Sequence, residues 1–354
     1  MDDVFIIGGG IFGLTASIVL GEAGYKVTLI EREFDVMKGA SLVNQNRIHH
    51  GFHYPRSLST CQEALKGFLT FQKFYGKAIN GNFEKYYAIS KENSKVSSDE
   101  FVDFAKSLNL FIKEKWPDPS ILNRKKIDSC WITKEPIFDY HTLKSLALER
   151  ITKSKNIQIL RNCNVLGLEE DKIILSNGYK KKYSFIVNAT YSEISDVSKT
   201  LGIPTVPAKF QLCILPILKS KTQLSNFGVT VMDGPFCSLM PKGFEKDLFI
   251  LYHVSQSVNQ ENIGTSRSEW LPIIGSPEND IIIRSSEYFP ILKKMSLYDS
   301  WITTRIVLPN QEIEDSRPTL VIKNSESIYT IFSGKLTTCV DSARSLLDII
   351  NRTK

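Results

Sequence analysis

The chain has 354 residues, 42% of them hydrophobic and 23% charged, and carries a net charge of +6. That is enough chain to bury a large core and form two structural domains, and the balance is that of an ordinary globular protein rather than a disordered, collagen-like or disulfide-stapled one. No window holds ~18 uninterrupted apolar residues, so no membrane-spanning helix is expected.

The opening residues read as strand, glycine turn, helix and strand. Residues 4–7 are an apolar run, Gly8-Gly9-Gly10-Ile11-Phe12-Gly13 follows, an apolar helix extends to about Gly24, and residues 26–31 form the second strand. Gly8, Gly10 and Gly13 fit G-x-G-x-x-G: the first permits the tight turn, the second lets a pyrophosphate approach the backbone, and the third lets helix pack on strand. The phosphates then rest on the helix N-terminus. Glu31 closes the second strand where a carboxylate accepts both ribose hydroxyls, and its charge disfavours a 2′-phosphate and hence NADP. The turn alone leaves NAD and FAD open.

Residues 32–41 are a loop, polar and rich in small residues. The stretch 44–57 then concentrates three of the chain's five histidines, His49, His50 and His53, between Asn44, Asn46 and Arg47 on one side and Tyr54, Pro55 and Arg56 on the other. Titratable and amide side chains held by Gly51 and Pro55 suit a ligand-lining loop better than a packed element. No metal is expected, because no acid or cysteine completes a histidine set and no C-x-x-C pair occurs among Cys61, Cys130, Cys163, Cys213, Cys237 and Cys339. Buried free thiols in a reducing compartment are expected, and with no signal peptide at the start a cytoplasmic location.

Further elements follow in order. A helix is expected over about 60–75, a strand over 83–90, a helix over 98–108 capped by Ser98, and a breaker region at 113–119; the block 57–136 reads as an insertion covering the nucleotide domain. Asp139 caps a helix to about 155, followed by a strand at 156–160 and a meander at 165–169, 172–176 and 180–183 around the Asn177-Gly178 turn. Lys180-Lys181-Lys182 sits at that hairpin and reads as a solvated tip, not a nucleic-acid patch. Residues 184–190 read as a buried parallel strand ending in small residues. Residues 205–300 carry strands at 209–218, 227–232, 236–240 and 248–254 in the pattern of an antiparallel sheet, with Tyr252 and His253 as pocket candidates. Ser333-Gly334-Lys335 opens a last helix with the apolar stripe Leu336, Val340, Ala343, Leu346 and Leu347.

Several of these stretches together resemble the flavin-dependent oxidoreductases of the D-amino-acid-oxidase-like superfamily, which includes glycine oxidases, FAD-linked glycerol-3-phosphate dehydrogenases and L-2-hydroxyglutarate oxidases. They are the glycine turn; Ser41, Asn44, Asn46, Ile48-His49-His50-Gly51 and Phe52; Asn188-Ala189-Thr190, with Tyr191 where the family usually has glycine; Trp301-Ile302-Thr303-Thr304-Arg305; Asp315-Ser316-Arg317-Pro318-Thr319; and Ser333-Gly334-Lys335-Leu336-Thr337-Thr338. The resemblance implies a mixed α/β fold: a Rossmann-like FAD-binding domain from 1–56, 137–204 and 301–354, and a discontinuous antiparallel-sheet substrate domain from 57–136 and 205–300. It implies FAD held by Gly8, Gly10, Ile11, Phe12, Gly13, Glu31, Arg32, Ser41, Asn46, Arg47, Ile48, His49, Val165, Ala189, Thr190, Gly334, Lys335, Leu336 and Thr337.

On that footing the helix N-terminus after Gly334, with the charge of Lys335, is expected to face the flavin carbonyl where reduction collects charge. Arg305 matches the family's anion-gripping arginine. His49, with His50 and His53 behind it, is the candidate base, which tilts the expected substrate toward a small anionic hydroxy acid or polyol over an amine. Oxygen or a quinone is the expected electron acceptor. The alternatives are an NAD-dependent dehydrogenase sharing only the first turn, and a flavin-fold protein that binds nucleotide without turnover.

Overall fold

The computed structural model describes residues 2–221, 226–266, 269–309 and 317–353; Asp315 and Ser316 lie outside them. Val4 to Ile7 are apolar on both faces, which suits only a strand covered on both sides. β1 (Asp3–Ile7) is accordingly central in a six-stranded sheet. Its order is Leu320–Lys323, Ile328–Phe332, Phe185–Asn188, β1, β2 (Lys26–Ile30) and Ile157–Leu160, all parallel except the antiparallel edge Leu320–Lys323. Between β1 and β2 runs α1 (Ile11–Glu22), buried on nearly every side and packed against the C-terminal helix Cys339–Thr353, whose Val340, Ala343, Leu346 and Ile350 point inward.

The second sheet has nine strands, and its register builds the far wall of the site. Ala208–Ser220 lies at its heart, paired along its length with Met295–Val307 on one side and with Val258–Gly264 and Leu248–His253 on the other. Cys237–Pro241, Phe227–Met232, Glu84–Ser90, Ile127–Thr133 and Lys113–Glu114 continue it. The sheet is mixed rather than purely antiparallel, because Phe227–Met232 runs parallel to Glu84–Ser90. A three-stranded meander (Val165–Glu169, Lys172–Leu175, Lys180–Lys182) turns at Gly178, which takes φ +81°.

Three expectations differ from the structure, and some elements were not read from the sequence. Strand Met295–Val307 crosses the boundary expected at 301, so residues 301–307 lie in the second sheet. Helix α2 (Leu58–Tyr75) does not belong to a cover: Phe71 and Tyr75 join the core of the nucleotide body, and a Cβ at Gly67 would come within 3.1 Å of Thr338. Ser97, not Ser98, caps the helix Ser98–Ser107 in a reciprocal box with Glu100, which the local Ser-Ser ambiguity hid. Helix Pro277–Ser286 and strand Val258–Gly264 were absent from the sequence reading; the first starts at a proline and the second is a polar edge. All six cysteines are free and buried. No helix of the described residues is long and apolar enough to cross a membrane.

Candidate active site

The C-terminal ends of the five parallel strands converge on one cavity of about 690 Å³, lined by Ile7 and Gly8, Ile30 and Glu31, Cys163 and Asn164, Ala189 and Thr190, and Ser333 and Gly334. Open α/β sheets bind ligands at this edge, where strand order reverses beside the first strand. The second sheet supplies the opposite wall with Cys213, Leu215, Tyr252, Thr303 and Arg305.

The nucleotide end fits a dinucleotide. Gly8 takes φ +106°, and a Cβ on Gly13 would lie 1.9 Å from the Gly8 carbonyl oxygen, so neither position admits a side chain without displacing backbone. At Gly10 a Cβ would fill the space in front of α1, 3.3 Å from Ser41 Oγ. Ser41 Oγ accepts from Ile11 N at 3.0 Å, capping α1 from thirty residues away, and Ile11 and Phe12 line the cavity beside it. Glu31 accepts Gly9 N at Oε2 (2.7 Å) and Glu33 N at Oε1 (2.9 Å), which fixes its carboxylate at the mouth with lone pairs left for hydroxyl donors. Arg32 and Val165 also line the cavity, and Arg32 pairs with Glu193 at 3.5 Å. Tyr191, where glycine was the family's residue, adopts φ +53°, the region glycine favours, and its hydroxyl bonds the backbone of Ile306.

Toward the second sheet, a Cβ on Gly334 would lie 2.2 Å from the Arg317 carbonyl, so this turn too is packed backbone to backbone. Gly334, Lys335 and Leu336 line the cavity at the start of the turn that leads into helix Cys339–Thr353. Lys335 does not offer a free charge there: its ammonium bonds Glu63 of α2 and the Arg317 carbonyl.

Arg305 is half-buried on the cavity wall. Gln211 stands directly opposite it in the register of the two strands and accepts its Nε and Nη2 at 3.0 and 2.7 Å, while Nη1 donates to Tyr252 Oη at 2.9 Å. No described carboxylate pairs with it directly. Arg47, His49 and Tyr54 line the same cavity. Arg47 is buried and donates from Nε and Nη2 to Glu135 Oε1 at 3.0 and 2.9 Å. His49 is held well below the ordinary imidazole value, first by its enclosure and then by Arg47, His53, Arg317 and Lys335, so it is neutral.

Six expected contacts, Gly13 among them, lie off the cavity lining. His50 packs on Phe68 and Phe52; His53 stacks on His49 with ring centres 5.3 Å apart. Asn46 donates to the Phe138 carbonyl, Ile48 is core, and Thr337 is buried beneath the turn. Gly13 serves the packing role its spacing implies, its Cβ position meeting the Gly8 carbonyl oxygen. Of the strand pair, Tyr252 faces the cavity and His253 points to the other side, bonded to Ser255, as alternation requires. The sequence reading missed Gln211, Glu135, Tyr87 and Tyr54. Tyr54 sits in the histidine loop and was within reach; Gln211 and Glu135 meet their arginines 94 and 88 residues away and leave no local signal.

A family model described as FAD-dependent oxidoreductase (DAO) matches residues 3–302. The FAD-dependent monooxygenase FPY4 of Fusarium mangiferae is 26% identical over 242 residues, 67% of this chain and 60% of that protein, so the match spans less than two thirds of the relative's length. The FAD-dependent monooxygenase kojA of Aspergillus flavus is 24% identical over 377 aligned residues, 98% of this chain and 85% of that one. Among solved structures, glycine oxidase from Geobacillus kaustophilus superimposes with a TM-score of 0.79 at 12% identity, covering 100% of this chain and 96% of the other. L-alpha-glycerophosphate oxidase from Mycoplasma pneumoniae with FAD bound gives 0.74 at 15% identity, covering 99% and 94%. At such identities the structural likeness is one of fold.

Proposed function

This chain belongs to the FAD-dependent oxidoreductase family, and from that premise we propose that it oxidises a small carboxylate-bearing substrate at a carbon carrying an amine. FAD is its cofactor, and when bound it accepts the two electrons and the hydrogen that leave that carbon. We read Gly8, Gly10, Ile11 and Phe12 as the pyrophosphate cradle, Glu31 as the ribose acceptor, and Gly334, Lys335 and Leu336 as the wall beside the ring.

One observation carries the substrate class: among the described residues, the direct partners of Arg305 on the cavity wall are an amide and a phenol. A half-buried guanidinium with neutral partners favours a counter-charge, and a planar carboxylate is the shape its fork matches. Tyr252, whose oxygen accepts from Arg305, keeps its own proton to donate to the same carboxylate. Such a clamp orients the substrate before reaction, which is worth as much as direct chemistry.

The amine is favoured over the hydroxyl by the state of His49. An alcohol must lose its hydroxyl proton as hydride leaves, and His49 is the one imidazole among the described residues lining the cavity. Enclosure and neighbouring cations that keep it neutral also make it a weak base. An amine bound in its neutral form, its ammonium proton already released to solvent, needs no base while hydride leaves. The names of the fungal relatives and of the oxidases among the structural neighbours support oxygen as the reoxidant.

Anaerobic mixing of the FAD-loaded protein with matched pairs of amino acids and their 2-hydroxy analogues tests this. Bleaching of the flavin by the amine member of a pair, with the hydroxy member inert, is expected. Bleaching by the hydroxy acids alone reverses the amine assignment, and a response confined to neutral amines or alcohols contradicts the carboxylate clamp.

A further inference from the structure

Arg305 and Arg47 line the same cavity and are held by the same fork: Nε and Nη2 of each donate to one oxygen of a neighbouring side chain. That oxygen belongs to an amide, Gln211, in one case and to a carboxylate, Glu135, in the other. We propose that this difference decides where an anion binds. Glu135 cancels the charge of Arg47 and so directs the substrate carboxylate to Arg305.

The surroundings of Glu135 fit a fixed, internal counter-charge. Its side chain is 0% exposed and that of Arg47 3%, so water screens neither and the pair interacts strongly. The second carboxylate oxygen accepts the Tyr87 hydroxyl, and Tyr87 in turn accepts from Arg47 Nη2, closing a three-membered ring of hydrogen bonds. The backbone holds the pair in register: Ile48 N donates to the Pro136 carbonyl at 3.1 Å and Phe138 N to the Asn46 carbonyl at 2.8 Å, zippering the two segments on either side of the ion pair. Lys85, buried behind Tyr87 and bonded to Thr230 and Met240 Sδ, is pushed well below the usual lysine value by burial and then by Arg47, which disfavours a further cation beside the pair.

At Arg305 the amide is held in the opposite sense. Gln211 Nε2 donates to Glu261 Oε2 at 3.0 Å, which turns its carbonyl oxygen toward the guanidinium. That oxygen satisfies two N–H groups without a formal charge, so Arg305 keeps its own for a ligand. Glu135 and Gln211 are thus positioning residues, each acting through the arginine it holds.

The inference rests on the reading of Arg305 as the anion anchor, and two reciprocal swaps separate the two. Calorimetric titration of the FAD-loaded protein with acetate, accompanied by the flavin difference spectrum, is the measurement. Arg305→Met should weaken acetate binding by roughly a hundredfold, and adding Glu135→Gln to it should recover binding to within about tenfold of wild type, since Arg47 then has the neutral partner that Arg305 has now. Gln211→Glu alone should weaken acetate as much as Arg305→Met does. Unchanged binding in Arg305→Met removes the anchor reading itself. Loss in Arg305→Met with no recovery in the double variant overturns the role of Glu135. Should the double variant fail to fold, Gln211→Glu decides: acetate bound as in wild type overturns the proposal, and loss sustains it.

Discussion

The nucleotide end of the cavity is organised around one contiguous stretch, β1-α1-β2, in which Gly8, Gly13 and Glu31 meet through turns and one helix. The substrate end is made by strands: Arg305, Gln211 and Tyr252 come from three strands of the second sheet, and Arg47, His49 and Tyr54 from a loop zippered to residues 136–138. The first end therefore depends on backbone approach at single positions. The second depends on register, because a one-residue slip of Met295–Val307 would turn Arg305 to the other face of the sheet.

Substitutions at the two ends should separate cofactor retention from substrate selection. The largest effect is expected at Gly13→Val, whose Cβ would meet the Gly8 carbonyl oxygen at 1.9 Å: the purified protein should carry no flavin, read as the flavin-to-protein ratio. Full flavin content in that variant would break the distinction at its nucleotide end. Arg305→Met should leave flavin content at wild-type level while kcat/KM for the carboxylate substrate falls by roughly a hundredfold, on the order of 3 kcal/mol for a lost charged partner. Equal loss of flavin and of activity would show that the two ends are not separable.

The histidines of the substrate end add a pH signature that the nucleotide end lacks. His49 and His53 are both held neutral, first by enclosure, so their folded values lie below the unfolded one of about 6.5. The unfolded chain binds their protons first on acidification. Stability from this source is complete above that value and is lost as pH falls below it, by up to about 1.4 kcal/mol per histidine per pH unit. Tm should decline from about pH 6.5 downward, and His53→Phe should flatten the decline; an unaltered slope would place the acid sensitivity elsewhere. The smallest effect is expected at Glu31→Gln, which keeps an oxygen for Gly9 N but loses the charge toward ribose: FAD should dissociate about tenfold more readily, with kcat at saturating FAD unchanged.

The same contrast explains what could be read from the chain beforehand. Gly8-x-Gly10-x-x-Gly13 and Glu31 carry their meaning in spacing alone, and the Asn177-Gly178 turn and the Asp139 cap are equally local. Gln211 and Glu135 are invisible in that sense, because nothing within ten residues of either announces an arginine partner. The histidine cluster misled for a related reason: density along the chain does not fix direction, and of His49, His50 and His53 only the first lines the cavity while Phe68 and the His49 ring take the others. Lys335 lines the cavity, but its ammonium bonds Glu63, 272 residues away on α2, and no local pattern announces that partner.

The most direct test of the shared cavity is a crystal structure of the FAD-loaded protein with a bound competitive carboxylate. The account expects the adenylate end beside Glu31 and the carboxylate within hydrogen-bond reach of Arg305 and Tyr252, in one continuous site. A carboxylate seated on Arg47 with Arg305 untouched, or bound outside this cavity altogether, would contradict it.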